Sequence, residues 1–284
     1  MPSLKALRKR IATVRSTQQI TKAMKMVAAA KLRRAQEAAE RARPYAAKLA
    51  DMFAAVAAGI EPETHPLLAR REERRIDLLV VSSDRGLCGG YNANLFRHVA
   101  GFLRQRAGQE LAFVLVGRKG LEYYRRRGMR IVAHQLGILT TPPATMASGL
   151  AAELAARFER QETDGVYLVY NRFRSAISQT PSVVPLLPVA APAVDRPPAD
   201  YIFEPPRQEL LARLLPRYLE ALVSQALLEA IASEHAARMT AMDNATTNAA
   251  DMIDALTRSM NRARQATITK ELMEVVGGAE ALKG

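Results

Sequence analysis

The chain's 284 residues suit one large domain or two small ones, and a hydrophobic content of 49% is enough for a sizeable core. A single cysteine, Cys88, excludes an internal disulfide and a cysteine metal cluster, and the lack of any apolar run of about 18 residues excludes a transmembrane helix. The net charge is +13, and residues 1–58 carry +10 of it.

The first predicted element is a long N-terminal helix over residues 1–58. Residues 3–58 contain no glycine, and alternate steps of three and four from Leu4 to Ile60 meet 14 apolar positions out of 17, as a heptad seam requires. The polar seam positions are Gln18, Thr21 and Lys25. We expect partner proteins, rather than a helix mate, to face this polar patch.

The charge on this helix predicts an acidic partner. Ten basic residues precede the first acidic one, Glu37, and they would repel one another on an isolated helix. Nucleic acid and an acidic protein surface are the two candidates. Residues 1–44 hold no aromatic side chain for stacking bases, which disfavours binding to single strands.

The middle of the chain, residues 76–189, alternates apolar runs with helix-compatible segments. The predicted strands lie at 76–84, 111–117, 129–134, 166–171 and 182–189. The predicted helices lie at about 91–106, 118–127 and 143–160. This alternation predicts an α/β domain with a mostly parallel, Rossmann-like sheet.

The turn after the first predicted strand is rich in glycine and has the sequence SSDRGLCGGYN, residues 82–92. Such a turn can cradle phosphate, but neither G-x-x-x-x-G-K-[ST] nor G-x-G-x-x-G is present. Cys88 lies near Arg85 and lacks a histidine base, so no catalytic dyad is formed. The sequence therefore predicts no catalytic residue, no cofactor and no metal. It predicts that this turn is either a tight structural turn or a protein contact surface.

The proline-rich segment 190–206 is predicted to be a linker and foot that leads into a second long helix, residues 207–284. From Leu211 to Ala263 this helix has an apolar residue at 13 of 16 seam positions, and the register fails beyond Ala263. Two seams at opposite ends of the chain predict an intramolecular antiparallel coiled coil. Two functional alternatives stay open on these grounds: a basic coiled-coil nucleic-acid-binding protein and a nucleotide-dependent α/β enzyme.

Six stretches, in the order of the chain, resemble one family. They are ITKAMKMVAAAKLRRA (20–35), SDRGLCGGYNANLF (83–96), YNRFRSAIS (170–178), YIFEP (201–205), SEHAARMTAMDNAT (233–246) and NRARQATITKEL (261–272). Together they resemble the γ subunits of F-type ATP synthases, the central rotor shaft. The resemblance implies a non-catalytic subunit, present once per complex, that couples proton-driven rotation of the membrane c-ring to the catalytic β subunits.

The resemblance also implies partners for individual residues. The acidic lever loop of β would meet Met24 and Lys25, with the turn that bears Cys88 near the lever loops. The α₃β₃ ring would contact Arg238, Arg264, Gln265 and Thr269. The foot that meets the c-ring and the ε subunit would contain Tyr201, Phe203 and Glu204. The bacterial-type start of the sequence implies a peripheral location on the cytoplasmic face of a bacterial cell membrane.

Overall fold

The computed structural model describes residues 3–58, 60–61, 65–190 and 203–281. Five α-helices are present in this part of the chain: α1 (Leu4–Ala57), α2 (Tyr91–Gln105), α3 (Arg118–Arg125), α4 (Pro143–Glu159) and α5 (Arg207–Ala281). Five strands accompany them: β1 (Arg75–Val81), β2 (Glu110–Val116), β3 (Ile131–Gln135), β4 (Gly165–Phe173) and β5 (Gln179–Leu187). A short 3₁₀ helix, Pro66–Leu68, precedes β1.

The strands form one sheet in the order β3-β2-β1-β4-β5. The first four strands are parallel, and β5 is antiparallel to β4 because the two are joined directly as a hairpin. Since α2, α3 and α4 connect the parallel strands, the arrangement is the mostly parallel, Rossmann-like sheet that the sequence predicted. The predicted fold class, this sheet together with two long terminal helices, is confirmed.

Both faces of the sheet are buried, which explains the near-continuous apolar sequence of its central strand, β1. Because side chains alternate along a strand, Leu79 and Val81 enter one core cluster, whereas Leu78 and Val80 enter the other. The first cluster includes side chains from α4 and from parts of α1 and α5, and the second includes side chains from α2 and α3.

The chain divides into two compact units. One comprises Ala28–Arg238 and contains the sheet; the other comprises Met1–Val27 with Met239–Gly284. Within the first unit, the rings of Phe53 and Tyr218 stack with centroids 4.6 Å apart, and the guanidinium of Arg207 donates to the carbonyl of Ala58 at 3.0 Å. These contacts show that α1 and α5 run antiparallel in this unit.

The helices are antiparallel in the second unit as well, and polar side chains connect them. The hydroxyl of Thr246 donates to that of Thr21 at 2.8 Å, and the ammonium of Lys25 lies 2.6 Å from a carboxylate oxygen of Asp243. The prediction that partners rather than the helix mate face the polar seam patch is therefore wrong for Thr21 and Lys25. Thr21 is buried, and its hydroxyl donates to the carbonyl of Gln18 within α1 while it accepts from Thr246 of α5, so this polar group is satisfied inside the helix pair.

The failure of the seam beyond Ala263 has a simple geometric cause. Leu4 precedes Thr21 by as many residues as Ala263 follows Thr246, so the start of α1 lies level with Ala263. Residues 264–278 of α5 are accordingly all exposed. The helix continues through Gly277 and Gly278 to Ala281, because glycine weakens a helix by only about 1 kcal/mol per residue.

Candidate functional site

The predicted contact residues of the α1 helix lie beside the polar connection to α5. Met24 is half-buried, and the ion pair of Lys25 with Asp243 is partly open to solvent. A partly exposed pair of this kind contributes little to stability, so the ammonium can exchange Asp243 for another carboxylate at small cost. Large apolar side chains that lie off the seam are exposed nearby, at Ile20, Met26 and Val27. The sequence reasoning missed them because it followed only the seam.

The turn between β1 and α2 buries its cysteine. Cys88 is 2% exposed and packs against Tyr91 and Ala237, and burial raises the pKa of its thiol. The hydroxyl of Ser83 donates to the carbonyl of Arg85 at 2.7 Å, and the side-chain amide of Asn92 donates to the hydroxyl of Ser83 at 2.7 Å. The expected partner contact therefore cannot be made by the cysteine itself in this conformation.

Arg238, expected to contact a partner ring, has partners within the chain. Its guanidinium lies 2.7 Å from a carboxylate oxygen of Glu234 and donates to the carbonyl of Gly86 at 3.2 Å. The two side chains are 11% and 1% exposed. Burial raises the pKa of the Glu234 carboxyl, an effect that the charge of Arg238 opposes. Arg238 thus joins α5 to the β1–α2 turn.

The expected contacts near the end of α5 all lie on its exposed segment, which follows Ala263. Arg264, Gln265 and Thr269 are exposed. Large apolar side chains of the same segment are also exposed, at Ile268, Leu272, Met273, Val275 and Val276. A helix that exposes so much apolar surface is typical of a protein interface.

The expected foot is described only in part, since Tyr201 lies outside the described residues. Phe203 is half-buried against the first core cluster, and the guanidinium of Arg207 lies 4.4 Å from the centre of its ring. Glu204 is exposed. Of the expected foot, Phe203 therefore packs against the core, whereas Glu204 faces solvent.

Within the ranges that the structure describes, no cluster of three or more His, Cys, Asp or Glu side chains could hold a metal ion. No helix in these ranges is long and apolar enough to cross a membrane. A cavity of about 200 Å³ beside α1 and α5 is lined by alanine together with charged and polar residues, among them Arg43, Arg217 and Glu220. Among the described residues the lining hydroxyls of Tyr45 and Ser224 donate to no base, so no paired nucleophile is present there.

Comparisons with known proteins agree over the whole chain. A family model described as ATP synthase matches residues 3–282. The ATP synthase gamma chain of Moorella thermoacetica is 52% identical over 283 residues, and that of Pelotomaculum thermopropionicum is 48% identical over 285 residues; each alignment covers 100% of both chains.

Solved structures share the fold. The central stalk and c-ring structure of the Tetrahymena thermophila mitochondrial ATP synthase contains a chain that is 27% identical, with a TM-score of 0.62 over 80% of this chain and 99% of that one. A chain of the Euglena gracilis mitochondrial ATP synthase, at 20% identity, has a TM-score of 0.70 over 98% of this chain and 94% of that one. With full-length relatives near 50% identity, the chain belongs to the ATP synthase gamma chain family.

Proposed function

We propose that this chain is the rotating central shaft of an F-type ATP synthase. In this role it couples rotation of a membrane c-ring to the conformational cycle of three catalytic β subunits. The observation that carries the proposal is the exposed segment of α5, residues 264–278, in a chain that matches gamma chains end to end. An exposed apolar helix surface of this length is typical of an interface that is buried in a complex, and an α₃β₃ ring would bury it.

The coupling follows from differential contact. A shaft that is not threefold symmetric touches each β subunit differently, and a partner can shift a conformational equilibrium only through such differences. Lys25 and Met24 would meet an acidic lever loop of one β subunit at a time. The partly exposed ion pair with Asp243 supports this assignment, because it lets Lys25 change partners without leaving a buried charge behind.

The remaining partners follow the same proposal. Arg264, Gln265 and Thr269 would contact the ring from the exposed segment of α5. Phe203 and Glu204, with Tyr201, would form the foot that meets the c-ring and the ε subunit. The chain would then lie peripherally on the cytoplasmic face of a bacterial membrane, and the chemistry of ATP would belong to β.

Reconstitution with the α and β subunits of the same complex tests the proposal. For single-molecule rotation, Cys88→Ser removes the native thiol, and Gly149→Cys provides one exposed attachment point on α4, where a Cβ meets no atom within 4 Å. We expect ATP hydrolysis accompanied by stepwise rotation of a bead attached at residue 149. The proposal that this chain is the rotating shaft would be refuted if it formed no ATP-hydrolysing complex, or if the bead did not rotate during hydrolysis.

A further inference from the structure

The α/β domain carries a second basic surface, at the turn that follows α3. Residues 118–130, RKGLEYYRRRGMR, include six basic residues and one acidic residue, which is paired with Lys119 at 3.0 Å. Three consecutive arginines, Arg125, Arg126 and Arg127, are exposed, and none of them forms an ion pair with any residue that the structure describes. Positive charge that the fold leaves unpaired in this way attracts an anionic partner.

An apolar side chain lies among these charges. Met129 is exposed between Arg127 and Arg130, in the turn that leads from α3 to β3. The ring of Tyr123 is covered on its two faces, by the guanidinium of Arg127 at 3.5 Å from its centre and by the stacked ring of Phe96 at 4.2 Å. It cannot stack on a base, which disfavours single-stranded nucleic acid. Clustered arginines around an exposed apolar side chain fit an anionic lipid surface instead.

This turn lies at the amino edge of the sheet, on the side of the foot. The carboxyl edge is the far side. There the hydroxyl of Ser233 donates to the carbonyl of Asn171 in β4, about 39 Å along α5 from the beginning of that helix. At the amino edge the backbone N–H of Val189, just after β5, donates to the carbonyl of Leu67, which belongs to the core cluster on which Phe203 of the foot packs.

The guanidinium groups of Arg125 and Arg126 have no hydrogen-bonded frame among the described residues. Bidentate pairing with fixed acceptors is what gives an arginine its specificity in a protein interface. Lipid headgroups are mobile and need no such frame, and each arginine near an anionic surface strengthens binding by about fivefold. Headgroups would also surround a c-ring at every rotational angle, so this contact would persist during rotation without favouring one angle.

We propose that residues 125–130, the α3 basic turn, form a contact surface for the anionic lipid headgroups of the membrane on which the complex stands. Arg125, Arg126 and Arg127 would supply the charge, and Met129 would enter the headgroup layer. The inference goes beyond the proposed function and rests on it for the position of the membrane. It adds a second basic surface to that of α1, with lipid rather than protein as its partner.

Vesicle flotation of the complex reconstituted with α and β measures the charge contribution. The test chain carries Arg125→Gln and Arg126→Gln. The matched control carries Arg97→Gln and Arg118→Gln, which remove the same charge from exposed positions nearer the starts of α2 and α3. With vesicles of phosphatidylglycerol and phosphatidylcholine in equal parts, we expect the test chain to bind about 25-fold more weakly than the wild type. The control should lose less than about threefold, because screening confines the attraction to charges close to the surface.

Equal losses for the two double variants would refute the contact surface, as would a wild-type complex that does not bind these vesicles. Binding of the wild type that is as strong to vesicles of phosphatidylcholine alone would equally overturn it, because the proposed attraction depends on anionic headgroups.

A fluorophore whose emission rises in an apolar environment tests the position of the contact. It is attached at Met129→Cys in a Cys88→Ser chain, and the control carries it at Gly149→Cys on α4, at the opposite face of the sheet. With the anionic vesicles, we expect emission to rise at residue 129 and not at residue 149, and nitroxide-labelled lipid to quench it. An equal response at both positions, no response at either, or a response at residue 129 only to DNA or to another purified subunit would refute the proposal.

The wild-type complex keeps this inference apart from the proposed function. If it hydrolyses ATP and rotates while residue 129 does not respond to lipid, the shaft stands and the contact surface falls. If it forms no such complex, the proposed function fails first.

Discussion

Removing Arg238 should destabilise the chain in a way that depends on pH. Arg238→Ala leaves the carboxylate of Glu234, which is 1% exposed, without its cation. Breaking a buried ion pair in this way costs about 3–5 kcal/mol. Glu234 can become protonated and so lose its unpaired charge, which reduces the penalty. We therefore expect the free energy of unfolding to fall by about 3 kcal/mol near neutral pH, which corresponds to a fall of about 6–12 °C in the melting temperature.

The sign of the pH effect follows from the raised pKa of Glu234. Between the ordinary carboxyl pKa and this raised value, the folded chain binds more protons than the unfolded chain, so stability falls as pH rises through that window. Without Arg238 the pKa rises further and the window widens. The penalty of Arg238→Ala should therefore shrink as pH falls from 8 to 5, by at most about 1.4 kcal/mol for each pH unit inside the window.

Urea denaturation at several pH values measures this penalty, and the same substitution made in the Glu234→Gln variant, which lacks the carboxylate, provides the control. In Glu234→Gln there is no carboxylate to be left buried without a cation, so Arg238→Ala removes only guanidinium hydrogen bonds to uncharged acceptors and should cost about 1–2 kcal/mol. The reasoning is refuted if the penalty in the wild-type background is as large at pH 5 as at pH 8. It is equally refuted if the two backgrounds give the same value.

Three further predictions concern other parts of the two helices. Burial beside Arg238 lowers the pKa of His235 to about 4, so its NMR titration should have a midpoint near that value. The free energy of unfolding should fall as pH drops from 6.5 towards 4, because the unfolded chain then binds more protons, and His235→Gln should remove this dependence. Pro44→Ala restores a backbone donor inside α1 and should raise the free energy of unfolding by about 1–3 kcal/mol in urea titrations; no gain would mean that the helix already accommodates the ring. A chain that ends at Ala263 should melt within about 2 °C of the full chain, because the exposed segment it lacks contributes no core; a larger drop would show packing that the structure does not.

The pairing of the two helices could be predicted because it depends on a local property, the spacing of apolar residues along each helix. Ala263 was correctly identified as the last position of the seam from α5 alone, and the structure supplies the reason in the position of Leu4. The partner of Thr21 could not be predicted from α1 alone, because the spacing of apolar residues in one helix does not determine which residues of the other helix lie beside it. Thr246, a polar position on the seam of α5, is the residue that meets it.

The candidate contact residues show which properties a sequence resemblance does not predict. A motif gives the position of Cys88 in the chain, but exposure depends on how the turn folds, and the structure buries the thiol while Leu87 faces solvent. Arg238 is likewise held by Glu234 through a contact made one helical turn away. No pattern of residue types reports the left-handed backbone of Leu87, whose φ is 63°, because a leucine gives no sign that it occupies a conformation favoured by glycine.

The polar connection between Thr21 and Thr246 spans 225 residues of sequence. A ribosome adds about 5–20 residues each second, so roughly 10–45 s pass between the synthesis of Thr21 and that of Thr246. During that time the apolar seam of α1 has no mate, while its ten basic residues ahead of Glu37 keep neighbouring nascent chains apart by repulsion. The charge that we propose to face acidic partners would thus also oppose association between the unpaired N-terminal helices of neighbouring chains during synthesis.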